Sequence, residues 1–204
     1  AALLNATSPI FIALASVLLL GTRLSAPAVF GTLLSFAGVL VIVSRGSLEV
    51  LRSFELNSGD AWILLSALSW AGYTVCLRWR PAELRGLDLL TVIAGVSVLM
   101  LAPLCVIEAA AGRVLVPSAE SIAGIAYVGV VASVLAYISW NHGVAQIGPA
   151  RAGPFMYLML VYTPILSILF LGERIEPFHL AGAALIVAGI YLATVPAYRT
   201  EPGG

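Results

Sequence analysis

Seven stretches of the chain contain no Asp, Glu, Arg or Lys: 1–22, 24–44, 61–77, 89–107, 121–150, 152–172 and 177–198. Polar and charged residues gather in the short segments between them. An apolar helix needs about 20 residues, within a range of about 17–25, to cross the hydrocarbon core of a bilayer. Six of the seven stretches fit that window, and the longest includes some loop. Lipid offers no hydrogen-bond partner to a backbone, so each crossing must be a helix or a strand of a closed barrel. The runs are continuously apolar and lack the period-two alternation of barrel strands. The pattern predicts an all-α polytopic membrane protein with seven transmembrane helices, at about 4–21, 27–44, 61–79, 89–109, 121–146, 152–171 and 178–197. The first run has no basic segment before it and is read as a membrane helix, not a signal peptide.

Composition agrees: 61% of residues are hydrophobic and 10% are charged, against roughly 25% charged in soluble domains. Mean hydropathy is +1.05. The net charge is zero, and nothing points to nucleic acid. Cys76 and Cys105 fall inside apolar runs and are expected to be buried thiols acting as small hydrophobes, not a disulfide or a metal pair. The longest connection, 44–60, carries five charged residues and separates two helices from the remaining five. Arg23, Arg78, Arg80, Arg85, Arg151 and Arg199 fall on one side of the membrane, Arg45, Arg52, Arg113 and Arg174 on the other. Positive charge favours the cytoplasm. The connection "RWRPAELR" and the C-terminus are therefore expected there.

The stretch "LGTRLSAPAVFGTLLSFAGVL" (20–40) returns as "LGERIEPFHLAGAALIVAGIY" (171–191), 151 residues later and without a gap. Gly21, Arg23, Gly31 and Gly38 recur as Gly172, Arg174, Gly182 and Gly189. Five crossings separate the two turns, so they lie on opposite sides of the membrane. Repeats in opposite orientation are a common construction of secondary transporters. Gly31 and Gly38, like Gly182 and Gly189, sit two turns apart on one helix face and are read as helix-packing positions. Gly31 and Gly38 are expected to face the second unit or helices upstream.

The chain resembles the EamA-type proteins of the drug/metabolite transporter superfamily. The resemblance lies in "NATSPIFIALASVLLLGTRLS" with "GTLLSFAGVLVIVS", in "GDAWILLSALSWAGYTVCLRW", and in "VGVVASVLAYISWNHGVAQIGPARAGPFMYLMLVYTPILSILFLGERI" with "LAGAALIVAGIYLA". It implies ten helices in two inverted five-helix repeats around a pathway for small organic solutes. On that reading 1–46 holds the last two helices of a first repeat, 47–60 is the inter-repeat linker, 61–197 is a complete second repeat, and 198–204 is a tail. The three helices before them are absent, and they become an expected partner. The family's usual proline in its ninth helix falls on Leu160 here, with Pro164 one turn later.

Candidate chemistry is sparse. The sequence has no nucleotide-binding glycine loop, no Gly-x-Ser-x-Gly and only His142 and His179, so neither an enzyme nor a metal or other cofactor is expected. Ser66, Trp70 and Tyr73 recur at helical spacing in the third span, beside Ser69. Ser133, Tyr137, Trp140 and Asn141 do so in the fifth. Two polar-aromatic stripes inside a membrane can line a solute path, or they can be packing and interfacial groups. The serines are read as structural. Trp70 and Tyr73 are placed on the pathway, with Tyr137, Trp140 and Asn141 as its second wall. Glu173, Arg174, His142 and Glu108 lie at helix ends and are read as interfacial or capping groups. No span has an acid at its centre, so no carboxylate proton relay is visible.

These readings converge on a carrier that moves small organic solutes or metabolites, outward by expectation, through the plasma membrane of a bacterium. Its partners would be the solute and the lipid bilayer, with no nucleic acid. The alternative is a membrane protein that does not transport, such as a sensor or an assembly protein.

Overall fold

The computed structural model describes residues 2–47, 49–50, 57–81, 83–84, 86–112, 117–172 and 174–194. Half of the expected linker (48 and 51–56), Arg85, Arg113, Glu173 and the tail 198–204 lie outside the described residues. Among those described, seven helices are long and apolar enough to cross a membrane: α1 Leu3–Leu20, α2 Ala26–Val43, α3 Ser58–Trp79, α4 Leu87–Ala110, α5 Ala119–Ile147, α6 Pro149–Leu171 and α7 Pro177–Thr194. They follow the expected spans closely.

Local chemistry sets the helix ends. α3 begins three residues before its expected start. The side chain of Asn57 accepts from the Gly59 N–H at 2.8 Å, and the Asp60 carboxylate accepts from the Asn57 N–H at 2.9 Å. This reciprocal cap satisfies N–H groups that a helix start leaves without partners. An acid in the first turn also meets the positive end of the helix dipole, which is why the charge of Asp60 belongs inside the helix. Ser25 and Ser118 cap α2 and α5, accepting from the N–H groups of Ala28 and Ser121. α1 and α6 end on glycines in the left-handed conformation, Gly21 (φ 63°, ψ 19°) and Gly172 (φ 68°, ψ 21°), a region that glycine enters without steric cost. Several helices depart from regular geometry: α1 has a turn at Ala6–Thr7 ahead of Pro9, and α3 ends in a 3-10 turn at Leu77–Trp79. α4 contains Pro103, α5 is π-helical over Val128–Leu135, and α6 passes through a 3-10 turn at Gly153–Tyr157 and contains Pro164.

The chain forms two compact units, 1–78 with 147–204, and 79–146. In the first, α2 lies along α7 in the most extensive helix pair, and α1 packs mainly on α3. Its core contains Ala6, Val39, Tyr157, Ile186 and Ile190, with Phe36 and Val161 against them. Gly31 touches Gly189, and Gly38 touches Gly182. A methyl group on Gly38 would stand 2.6 Å from the Gly182 carbonyl oxygen, and one on Gly182 would stand 2.7 Å from the Gly38 carbonyl oxygen. The contacts are reciprocal and run antiparallel: seven residues forward on α2 is seven back on α7. Of the two partners expected for Gly31 and Gly38, the structure selects α7. The two helices also span equivalent residues, since a shift of 151 carries Ala26–Val43 onto Pro177–Thr194.

In the second unit, α4 buries Leu89, while Val98, Leu99, Met100 and Val106 are exposed. Such a surface suits hydrocarbon and not water. Cys76 and Cys105 are exposed and free, which corrects the expectation of buried thiols. In a membrane helix an apolar position can face lipid as readily as a neighbouring helix, so lying in an apolar run does not imply burial in protein.

Candidate solute pathway

The buried face of α3 includes Ala67, Ala71 and Thr74. Their small side chains let α3 approach α1 closely. Trp70 and Tyr73 stand one position back from Ala71 and Thr74, on the flank of that contact. Both are half-buried, and their rings lie 5.4 Å apart between centroids with a 38° tilt, within the usual range for an attractive aromatic pair. The spacing read from the sequence thus yields an aromatic surface. Ser66 and Ser69 are exposed, and the Ser69 hydroxyl donates to the Leu65 carbonyl of its own helix at 2.8 Å, in keeping with a structural role.

Tyr137, Trp140 and Asn141 lie in the regular α-helical end of α5, Ala136–Ile147. Their helical spacing therefore holds despite the π-helical stretch that precedes it. Tyr137 and Trp140 are half-buried and Asn141 is buried. His142, one residue on, is exposed. Its Nε2 lies 3.1 Å from the Gln146 side-chain nitrogen. An amide nitrogen only donates, so this ring nitrogen accepts and the proton sits on Nδ1. Trp70 and Tyr73 belong to the first compact unit, and Tyr137, Trp140 and Asn141 to the second.

One feature had no counterpart in the sequence reading. The first unit has a half-open cavity of about 420 Å³ beside the irregular part of α6. Pro9 of α1, Ile42 of α2, Tyr157, Met159 and Thr163 of α6, and His179 of α7 are among the residues that line it. The Thr163 hydroxyl donates to the Met159 carbonyl at 2.7 Å. His179 Nδ1 accepts from the Glu176 N–H at 3.1 Å, which leaves the neutral ring's proton on Nε2. The 3-10 turn and Pro164 both loosen the regular α-helical course of α6 here, and α1 is likewise interrupted beside the cavity, at Ala6–Thr7 ahead of Pro9.

The EamA-like transporter family matches residues 57–195, more than half of the chain. The chain belongs to that family. The matched region opens at the Asn57 cap of α3 and closes at the end of α7. An uncharacterized transporter of Bacillus subtilis, YyaM, is 28% identical over 207 residues, covering 98% of this chain and 67% of that protein. A probable terminal-alkyne amino-acid exporter of Streptantibioticus cattleyicolor is 26% identical over 193 residues, covering 94% and 62%. A crystal structure superposes with a TM-score of 0.76 at 22% identity, covering 99% of this chain and 68% of the other, and that likeness establishes the fold. The EamA-type chain thus spans about two thirds of the length of these three proteins. It is an integral membrane protein of a transporter family, and these relatives carry the names of a transporter and an exporter.

Proposed function

We propose that the chain forms the C-terminal part of a ten-helix carrier that exports small organic solutes by alternating access between two inverted halves. In this reading α1 and α2 end the first repeat and α3 to α7 form the second. The solute passes the Trp70–Tyr73 pair, and Tyr137, Trp140 and Asn141 are further pathway residues in this reading. "RWRPAELR" and the C-terminus face the cytoplasm, and the membrane is the plasma membrane of a bacterium.

The observation that carries the proposal is the reciprocal antiparallel packing of α2 on α7. Two similar halves of opposite orientation have a physical consequence. If the halves adopt two slightly different conformations, exchanging those conformations produces the same structure open to the other side. α1 and α6, which the repeat equates, do differ: Pro164 of α6 falls opposite Ala13 of α1, and Pro9 of α1 opposite Leu160 of α6. An aromatic pair with few charged groups nearby suits solutes with an apolar or cationic part. The outward direction is supported by the exporter among the relatives.

The test is solute flux in proteoliposomes containing the chain together with its proposed upstream helices, using labelled amino acids and a lipophilic cation as probes. Saturable flux with counterflow is expected. Folded protein that moves none of them, yet changes conformation when one binds, would mark a sensor instead.

A further inference from the structure

The core of the first unit is built from residues that the repeat equates. A shift of 151 carries Ala6 onto Tyr157 and Val39 onto Ile190. All four belong to one buried cluster, whose fifth member is Ile186. Residues related by a two-fold axis gather in one cluster only where the axis passes through it. The axis that relates the two repeats therefore runs through this core.

The symmetry is broken there by one pair above all. Val39 and Ile190 differ by a single methylene, whereas Ala6 and Tyr157 differ by an entire phenol ring. Tyr157 is 1% exposed and Ala6 is 6% exposed, so the core takes up the whole ring on one side and closes over a methyl group on the other. Each residue also stands at the irregular point of its helix. Ala6 lies in the turn that interrupts α1, and Tyr157 ends the 3-10 turn of α6. When two halves exchange conformations, each residue takes the surroundings that its counterpart held. Tyr157 would then have to enter a site shaped for Ala6, and Ala6 would leave the ring's site underfilled. Cores penalise both changes, and here both act in the same direction.

We infer that Tyr157 is a latch: its ring, set on the axis against Ala6, holds the carrier at rest in one of its two exchange-related conformations. The inference rests on the two-repeat reading proposed above. The ring is the working part, because the Tyr157 hydroxyl has no hydrogen-bond partner among the described residues. The device lies outside the Trp70–Tyr73 pair, so it sets the resting side and not the choice of solute.

Ser16 and Ser167 supply matched reporters, since the repeat equates them and both are serine. Ser16 is 0% exposed and Ser167 is half-buried. The test uses the chain together with its proposed upstream helices in proteoliposomes, with every native cysteine replaced by serine. Ser16→Cys and Ser167→Cys are introduced singly, and the ratio of their N-ethylmaleimide labelling rates is measured. Exchange of conformations exchanges the surroundings of the two reporters, so this ratio follows the resting state. Ala6→Tyr combined with Tyr157→Ala should move the ratio towards its inverse by about tenfold or more, a factor equivalent to about 1.4 kcal/mol. Tyr157→Ala alone should move it part of the way, and Tyr157→Phe should leave it unchanged. Tyr157→Val gives the same reading with a smaller void if the swapped carrier does not fold. An unmoved ratio in folded Tyr157→Ala or Tyr157→Val carrier would overturn the latch, as would a Tyr157→Phe shift as large as that of Tyr157→Ala. Flux of the lipophilic cation through the unsubstituted carrier separates the two failures. With saturable flux and an unmoved ratio only the latch falls, whereas without flux the carrier reading falls and the latch with it.

Discussion

The Ser35 hydroxyl donates a hydrogen bond to the Ile186 backbone carbonyl at 3.1 Å, and the two residues stand 151 positions apart. The repeat therefore equates the two positions that touch. Helices related by a two-fold axis meet at equivalent positions only where that axis passes between them. The crossing of α2 and α7 at Ser35 and Ile186 marks that point in this fold. Gly189 makes the approach close enough, because a methyl group there would collide with the Ser35 hydroxyl and the Gly31 carbonyl.

Gly189→Ala should destabilise the protein. The obstructing atoms include backbone that cannot swing away, and overpacking of this kind costs about 1–3 kcal/mol. Gly72→Ala on α3 meets open space and should be neutral or stabilise by up to about 1 kcal/mol, the helix-propensity difference. Thermal unfolding of the two variants in one detergent compares them. Equal melting temperatures would mean that α2 and α7 are not in close contact.

Ser35→Ala removes a hydrogen bond that joins α2 to α7. The expected loss is about 0.6 kcal/mol and at most about 1.7, the range for such bonds in membranes. Ser16→Ala loses a bond within its own helix, to Ile12, and should cost less. A larger effect at Ser16 than at Ser35 would show that the α2–α7 crossing does not depend on this bond.

Trp70→Ala separates pathway from packing. If the ring lines the solute path, relative uptake of two dissimilar solutes should change while the folded fraction stays near wild type. If the ring only packs, the cavity left behind costs roughly 3–5 kcal/mol by the measure of soluble cores. Stability and both uptakes would then fall together. Thermal stability and two uptake assays on one variant decide the matter.

Arg80→Cys tests orientation. Arg80 follows the short 3-10 turn at the end of α3 and belongs to the most basic connection of the chain. An impermeant thiol reagent added outside intact cells should leave this position unlabelled, with Cys76 and Cys105 replaced by Ser. Ready external labelling would reverse the topology proposed above.

The number of crossings, their approximate limits and the family were legible in the sequence because hydrocarbon imposes one severe rule. Charge cannot remain inside it, so charge-free runs mark the helices. The turns at Gly21 and Gly172 were legible too, from their shared Gly-x-Arg pattern; their left-handed conformation came from the structure. Trp70 and Tyr73 could be placed side by side from helical spacing alone.

Tertiary structure decided which surfaces meet. Gly31 and Gly38 had two candidate partners by sequence, and the structure chose α7. Cys76 and Cys105 looked buried and are exposed. Ser8, Ile12 and Ser16 are covered while Met159, Thr163 and Ser167 face a cavity, although the repeat makes the two sets equivalent. The physical reason is common to all three. In a bilayer an apolar side chain is equally satisfied by lipid and by a neighbouring helix, so hydropathy carries no label for inside or outside. Only the close approach of backbones, at positions where small residues allow it, assigns each face its partner.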